Sequence, residues 1–230
     1  MQLAIQGQKR VEAFPQGKAW CPQCYSEVTA KCGSIMAWHW SHQANDCDSW
    51  SEPESQWHIS RKNLFPKEWQ EVVIGHHRAD IKTPTKVVEF QSSSISPEEI
   101  RKREDHYGNM IWVLKGEDFT GNFDIRDQGN YSSFRWKNPR KSWWHARMPI
   151  VIDFETTFFL VKKLHQNMPC GGWGRYIKHI EFLDLAGLSW KMLSSNPSKF
   201  DQAGRFLLDH SVKGIQSWEN MVKKDQGRTL

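Results

Sequence analysis

The chain has 230 residues, enough for one medium-sized domain or for a small module followed by a larger one. Its balance of 38% hydrophobic and 25% charged residues is that of a globular protein and excludes wholesale disorder. The formal charge of +5 allows a polyanionic partner without requiring one, and no apolar run approaches the length of a membrane-spanning helix.

The cysteines point to a metal site rather than to disulfides. There are five of them, an odd number, and Cys21 and Cys24 form a close pair. This usage fits a reducing compartment better than a secreted disulfide framework. No signal-peptide pattern is visible at the N-terminus, so we expect a soluble, cytoplasmic protein with no membrane partner.

Residues 1 to about 50 are predicted to form a β-rich, zinc-binding module. Cys21 and Cys24 can direct two thiolates at one ion, and His39 and His42 follow at a spacing typical of small tetrahedral zinc sites. Four protein ligands leave no open position, which favours a structural role for the zinc. Either Cys32 or Cys47 is an alternative to one of the histidines. Alternating composition predicts strands at 1–5, 10–14, 27–31 and 35–40.

A helix is predicted from Ser51 to Phe65, because Ser51 and Glu54 have the spacing of a capping box and a proline follows at position 66. Glu54, His58 and Lys62 recur every four residues and share one polar face of that helix. On spacing alone, capping and an ordinary solvated face explain these residues.

Three predicted strands follow, at 71–75, 78–82 and 86–91. Period-two alternation places Glu89 and Gln91 on one face of the third strand, and Asp80 lies on the strand before it. Carboxylates among hydrophobic strand residues are a local contradiction of the kind expected at functional sites. The alternative is a charged, solvent-facing hairpin.

Hydrolysis of a phosphodiester explains these residue types. It requires a hard cation to neutralise the phosphate and to lower the pKa of an attacking water. Asp80 and Glu89 are suitable oxygen ligands for Mg²⁺ or Mn²⁺. Gln91 is not a base, but its amide can orient the water or a phosphate oxygen.

Ser96 and Pro97 begin a clearly predicted helix, which a short buried strand follows at 111–114. Arg101 and Arg103 on this helix are either phosphate contacts or exposed charges.

The C-terminal half is less regular. Residues 134–145 interleave basic and aromatic side chains, which suits stacking on nucleic-acid bases as well as it suits a hydrophobic satellite cluster. Strands are predicted at 149–154 and 158–161 and a loop at 171–174, and helices are predicted at 182–193 and 204–222.

The chain resembles the CoiA-like competence-protein family, whose core belongs to the PD-(D/E)xK, restriction-endonuclease-like nucleases. The resemblance spans about residues 1 to 115 well and continues more weakly beyond them. It is carried by the sequences CPQC, WHWSH, ESQWHISRK, RADI, VVEFQSSSIS and IWVL, together with Arg101 and Tyr107.

The resemblance implies an α/β protein with a restriction-endonuclease-like mixed β-sheet core flanked by helices and a small zinc-finger-like module before it. It implies metal ligands at Asp80 and Glu89, and it makes Glu54 a member of the active site. Gln91 stands where the wider superfamily usually has lysine. The implied domains are the zinc module at 1–50, the nuclease-like core at 51–165 and a helical extension at 166–230, in a bacterial or phage-encoded protein.

The leading hypothesis is therefore a Mg²⁺-dependent deoxyribonuclease acting on DNA, single-stranded or branched forms included. A second hypothesis is a non-catalytic DNA-binding accessory protein in recombination, and a third makes the Cys/His module a protein-docking site. The predicted nucleic-acid contacts are His58, Lys62, Arg78, Arg101, Trp136 and Lys137.

Overall fold

The computed structural model describes residues 1–43, 47–167 and 169–210. The chain divides into two compact units, Met1–Lys82 and Thr83–Leu230. Across the described ranges, no helix is long and apolar enough to cross a membrane.

The first unit opens with a five-stranded antiparallel sheet in the order β2-β1-β3-β4-β5. Its core forms around Trp40, which is fully buried and whose indole Nε1 donates to the carbonyl of Val11 at 2.9 Å. The strands are β1 (Leu3–Gln6), β2 (Lys9–Glu12), β3 (Lys18–Trp20), β4 (Glu27–Lys31) and β5 (His39–His42).

This sheet differs from the prediction in two places. Strand β3 was not predicted, and β5 begins at His39 rather than at residue 35. The register pairs Lys31 with His39, so the residues between them connect the strands. Ile35 and Met36 are exposed in that connection, and their apolar character does not make them strand residues.

Helix α1 (Gln56–Lys62) starts later than predicted, and Ser55 rather than Ser51 caps it. The Ser55 hydroxyl accepts a hydrogen bond from the backbone N–H of His58 at 3.2 Å. Glu54 therefore precedes the helix and is not part of a capping box. The unit ends with an antiparallel hairpin of β6 (Gln70–Ile74) and β7 (His77–Lys82).

The second unit is built on a large mixed sheet flanked by helices, as the sequence predicts for the fold class. Its strands follow the order β10-β11-β14-β13-β12-β9-β8, in which β8, β9 and β12 are parallel and the other pairs antiparallel. These strands are β8 (Val87–Gln91), β9 (Met110–Lys115), β10 (Phe123–Asp127), β11 (Ser132–Trp136), β12 (Ile150–Asp153), β13 (Phe158–His165) and β14 (Gly171–Ile177).

Helix α2 (Pro97–Tyr107) connects the parallel strands β8 and β9 and begins where the sequence predicts. Ser96 is the N-cap, its hydroxyl accepting from the backbone N–H of Glu99 at 3.1 Å, and Pro97 occupies the first turn. Gly108 ends the helix with a positive φ of 67°, which glycine adopts without strain.

Residues 171–174, predicted as a loop, are instead the start of strand β14. The glycines there allow unusually close neighbours: a Cβ on Gly172 would lie 1.9 Å from the carbonyl oxygen of Lys163 on β13. Glycine in this strand is therefore a packing requirement and not a turn, which composition alone does not distinguish.

The helix predicted at 182–193 is two helices, because Gly187 has a φ of +95° and interrupts it. The predicted helix at 204–222 is present up to residue 210, and its remainder lies outside the described residues. The C-terminal helices are α3 (His179–Leu185), α4 (Trp190–Ser195) and α5 (Asp201–His210).

Candidate functional site

Three cysteines and one histidine of the first unit converge on a single point. The ligand atoms of Cys21, Cys24, His42 and Cys47 all lie within 4.8 Å of one another. The Cys21 and Cys47 sulfurs are 3.6 Å apart, and the Cys24 sulfur is 3.3 Å from His42 Nε2. The sulfurs of thiolates bound to one tetrahedral zinc at 2.3 Å would be about 3.8 Å apart, so this Cys₃His group is compatible with a structural zinc.

The structure places Cys47 in this group where His39 was predicted. His39 and His42 are both in β5 and three positions apart, so strand alternation turns them to opposite faces. His39 Nδ1 instead lies 2.8 Å from the carbonyl oxygen of Ala37. Cys32, the other alternative, packs against the N-terminal hydrophobic core. Strand phase was the signal that could have separated the two histidines.

The thiols of the cluster have unequal acidities. Burial raises the pKa of Cys24, but hydrogen bonds from Ser26 and His42 outweigh it and lower the pKa to about 6. The pKa of Cys47 is raised, first by burial and then by the neighbouring Cys24 and Cys21 sulfurs. Because zinc binds thiolates, the residues present would release protons on binding it.

A second cluster in the first unit surrounds Lys62. Its side chain is 0% exposed, and its ammonium lies 2.8 and 2.9 Å from the two carboxylate oxygens of Glu54. Glu71, also buried, accepts from the same ammonium at 2.9 Å. Burial lowers the pKa of Lys62, but these carboxylates outweigh it and raise the pKa above its ordinary value.

Glu71 ties this cluster to the first sheet. Its carboxylate oxygens accept the backbone N–H groups of Gln2 and Leu3, both at 2.7 Å. Burial raises the pKa of Glu71, but Lys62 and these bonds outweigh it and hold the pKa well below its ordinary range. Lys62 is therefore an internal cation of the unit and is not exposed to a phosphate backbone, contrary to the predicted DNA contact.

His58 is also buried, with Nε2 3.3 Å from Glu52 and Nδ1 2.8 Å from the Ser55 hydroxyl. Burial lowers its pKa, but the hydrogen bond to Glu52 and the charges of Asp80 and Glu54 outweigh burial and raise it. The charge of Asp80 thus contributes to the raised pKa of both His58 and Lys62.

In the second unit, Glu89 and Gln91 lie on a strand whose five residues are all buried. Arg103 of α2 donates to the Glu89 carboxylate at 3.3 Å and also pairs with Glu99. Gln91 Nε2 lies 3.3 Å from the Ser93 hydroxyl. The polar residues of β8 are therefore matched by polar partners, and the solvent-facing alternative for this strand is excluded.

Two helix residues with structural partners were missed by sequence reasoning. Arg103 was expected on an exposed or phosphate-binding surface, but it is buried as the counter-ion of Glu89. Glu104, beside it, accepts from Trp112 Nε1 at 3.1 Å and from the backbone N–H groups of Arg147 and Met148 at 3.0 Å. Arg103 and Glu104 therefore both face the sheet, which the mixed charge of the helix sequence does not indicate.

The remaining predicted nucleic-acid contacts divide by exposure. Lys137 is exposed, and Arg101 is partly exposed and 3.4 Å from Glu98. Arg78 is half-buried, and its backbone N–H donates to Asp48 at 2.7 Å. Trp136 is only 3% exposed, so it cannot serve as a base-stacking platform.

Two family models match the chain. The model of the N-terminal domain of competence protein CoiA matches residues 5–49, which contain all four clustered ligands. The model of the CoiA nuclease-like domain matches residues 71–194, more than half of the chain. No curated protein and no solved structure matches the chain. The chain belongs to the family of the competence protein CoiA, with the family's N-terminal and nuclease-like domains in their order along the sequence.

Proposed function

We propose that this protein is a Mg²⁺- or Mn²⁺-dependent nuclease that hydrolyses phosphodiester bonds of DNA in the cytoplasm. The observation that carries the proposal is the match of the CoiA nuclease-like domain to residues 71–194. This range includes both predicted metal ligands, Asp80 and Glu89, and also Gln91, but not Glu54. Carboxylate oxygens at Asp80 and Glu89 form the kind of donor set that Mg²⁺ prefers.

Each residue has a proposed part. Asp80 and Glu89 would hold the metal, which when bound would neutralise charge at the phosphate and lower the pKa of a water molecule. Gln91 orients the attacking water, whose oxygen forms the new bond to phosphorus while the ester P–O bond breaks. The water loses one proton to solvent, and the leaving oxygen takes one proton from solvent. Glu54 acts as a positioning residue, since both of its oxygens pair with Lys62.

Asp80→Ala tests the catalytic assignment. Cleavage of single-stranded, duplex and branched DNA with Mg²⁺ is expected to fall by about 100-fold or more, because the loss of a ligand removes charge stabilisation worth several kcal/mol. Glu12→Ala is the matched control, since Glu12 is an exposed carboxylate of the same unit. Cleavage by Asp80→Ala at the wild-type rate, with an unchanged melting temperature, would remove Asp80 from the site.

Two observations favour a second candidate function, a DNA-binding accessory protein without catalysis. Glu89 already has a buried counter-ion in Arg103, and Gln91 supplies no positive charge near a nucleophile. This candidate predicts salt-dependent DNA binding that Glu89→Gln leaves unchanged. It also predicts no cleavage with any divalent metal, which the same assay with wild-type protein measures.

A further inference from the structure

The exposed aromatic side chains of the second unit are not where the sequence pattern suggested. Trp136 and Trp143 are 3% and 1% exposed and pack in the interior. By contrast, Tyr131 and Trp173 are 46% and 38% exposed. Their rings are neighbours, with centroids 5.9 Å apart at an angle of 74°. Tyr131 directly precedes β11, and Trp173 lies within β14.

The register of four strands surrounds Trp173 with cations. Arg126 on β10, Ser133 on β11, Trp173 on β14 and Lys163 on β13 are successive cross-strand partners. Residues directly opposite each other in paired strands project to the same face, so these side chains form one row across the sheet. Arg126 and Lys163 are exposed at its two ends.

A second row lies beside the first. It runs through Asp124, Arg135, Gly171 and His165, again as cross-strand partners on the same four strands. Arg135 and His165 are exposed, so the face carries basic groups on both sides of the tryptophan. The surface is concave, with a cavity of about 390 Å³ lined by members of both rows and by Tyr131.

The charge of this face favours an anion. Three side chains, Arg126, Arg135 and Lys163, are permanently positive, against one carboxylate, Asp124. The carboxylate lies 3.7 Å from the Arg126 guanidinium, and both groups are more than half exposed. An exposed ion pair of this kind stabilises the protein little, so a phosphate can replace Asp124 beside Arg126 with little loss of free energy.

The face is separate from Glu89. The register links Glu89 through Trp112, Ile150 and Val161 to Gly174 on one side of the sheet. Trp173 is adjacent to Gly174 in β14 and so faces the other side. Four strand spacings separate β14 from β8, a distance of about 19 Å.

We propose that this face, the outer surface of β10, β11, β14 and β13, binds single-stranded nucleic acid. Bases stack on Trp173 and Tyr131, and phosphates contact Arg126, Arg135 and Lys163. The combination of an exposed aromatic platform with flanking cations is the one that single strands require, because only unpaired bases offer their faces. The proposal concerns binding and does not depend on cleavage by the chain.

The test measures affinity for a fluorescent oligothymidine by anisotropy, in an Asp80→Ala background without added Mg²⁺ so that no cleavage intervenes. Trp173→Ala is expected to weaken binding by roughly 5- to 150-fold, the range for the loss of one base–aromatic stack. Trp173→Tyr is expected to restore most of the affinity. Trp190→Ala is the matched control, since Trp190 lies in the same unit and is also 38% exposed.

Salt dependence tests the cations separately. Arg135→Gln is expected to lower the slope of log K against log salt by about 0.7, the value for one phosphate contact of a single strand. Wild-type affinity in a folded Trp173→Ala protein would overturn the proposal, as would equal losses for single-stranded and duplex DNA. Failure of Asp80→Ala to abolish cleavage would count against the proposed nuclease site and leave this binding result intact.

Discussion

Lys62 is a cation that the first unit buries completely between two carboxylates. Sequence spacing grouped Lys62 with Glu54 on one solvated helix face. Glu54 instead precedes the helix, and the two residues form a buried ion pair. Such a pair is costly to break from one side, because the remaining charges are left in the interior without a partner.

Lys62→Met is therefore expected to lower the free energy of unfolding by about 3–5 kcal/mol, measured by denaturant titration. Lys67→Met is the control: Lys67 also pairs with a carboxylate, at 2.9 Å from Glu12, but both side chains are exposed. That pair is worth at most about 1 kcal/mol. Equal effects of the two substitutions would contradict the interior role of Lys62.

Glu71 determines the direction in which the stability of the protein changes with pH. Because the folded pKa of Glu71 is depressed, its stabilisation is present above the ordinary carboxyl value of 4.5 and is lost as pH falls below it. The Lys62→Met protein lacks the main cause of that depression. The free energy of unfolding of the Lys62→Met protein is therefore expected to fall less than that of the wild type as the pH is lowered from 5.

The zinc cluster makes a prediction at the level of single ligands. Cys47→Ser is expected to remove stoichiometric zinc, because it deletes one of four ligands and leaves the site incomplete. Cys32→Ser is the control, since Cys32 is half-buried but lies outside the cluster. Elemental analysis distinguishes the two, and loss of zinc from Cys32→Ser with retention in Cys47→Ser would reverse the ligand assignment.

At the scale of elements, strand β14 depends on the absence of side chains. A Cβ at Gly172 would lie 1.9 Å from the backbone carbonyl of Lys163, and backbone cannot move aside as a flexible side chain does. Strands β13 and β14 would have to separate locally, which disturbs the register that positions Trp173.

Gly172→Ala is thus expected to destabilise the protein by about 1–3 kcal/mol or more, as overpacking does in well-packed interiors. Gly121→Ala is the control, because a Cβ there meets nothing within 4 Å. Thermal unfolding followed by circular dichroism compares them. A Gly172→Ala protein as stable as wild type would show that the strands accommodate the methyl group.

Over the whole molecule, the local patterns that the sequence predicted best were those with specific chemistry. Ser96 and Pro97 marked the start of α2 because capping and fixed φ act within a few residues. The strand at 87–91 followed from alternation. Features that depend on partners distant in sequence were not predicted. Arg103 is buried because it pairs with Glu89, and Gly172 is needed in its strand because a neighbouring backbone carbonyl leaves no room for a side chain.

The candidate sites follow the same division. The Cys21 and Cys24 pair was visible from its spacing. The alternation of β5 turns His39 away from His42, and Cys47 is the fourth member of the cluster. The sequence shows aromatic and basic residues in the C-terminal half, but it does not show that Trp136 is buried against the rings of Phe119, Phe123 and Trp144. Composition identifies residue types, whereas exposure depends on partners distant in sequence.

The pairing of Glu89 with Arg103 has a consequence for ion selectivity. A cation that binds the Glu89 carboxylate would compete with the Arg103 guanidinium for it. A monovalent ion that replaced the guanidinium would bring no more charge than it removed. A divalent ion adds one net positive charge, which favours Mg²⁺ over Na⁺ or K⁺. Arg103 keeps Glu99 as a second partner, so displacing it from Glu89 does not leave it without a counter-ion.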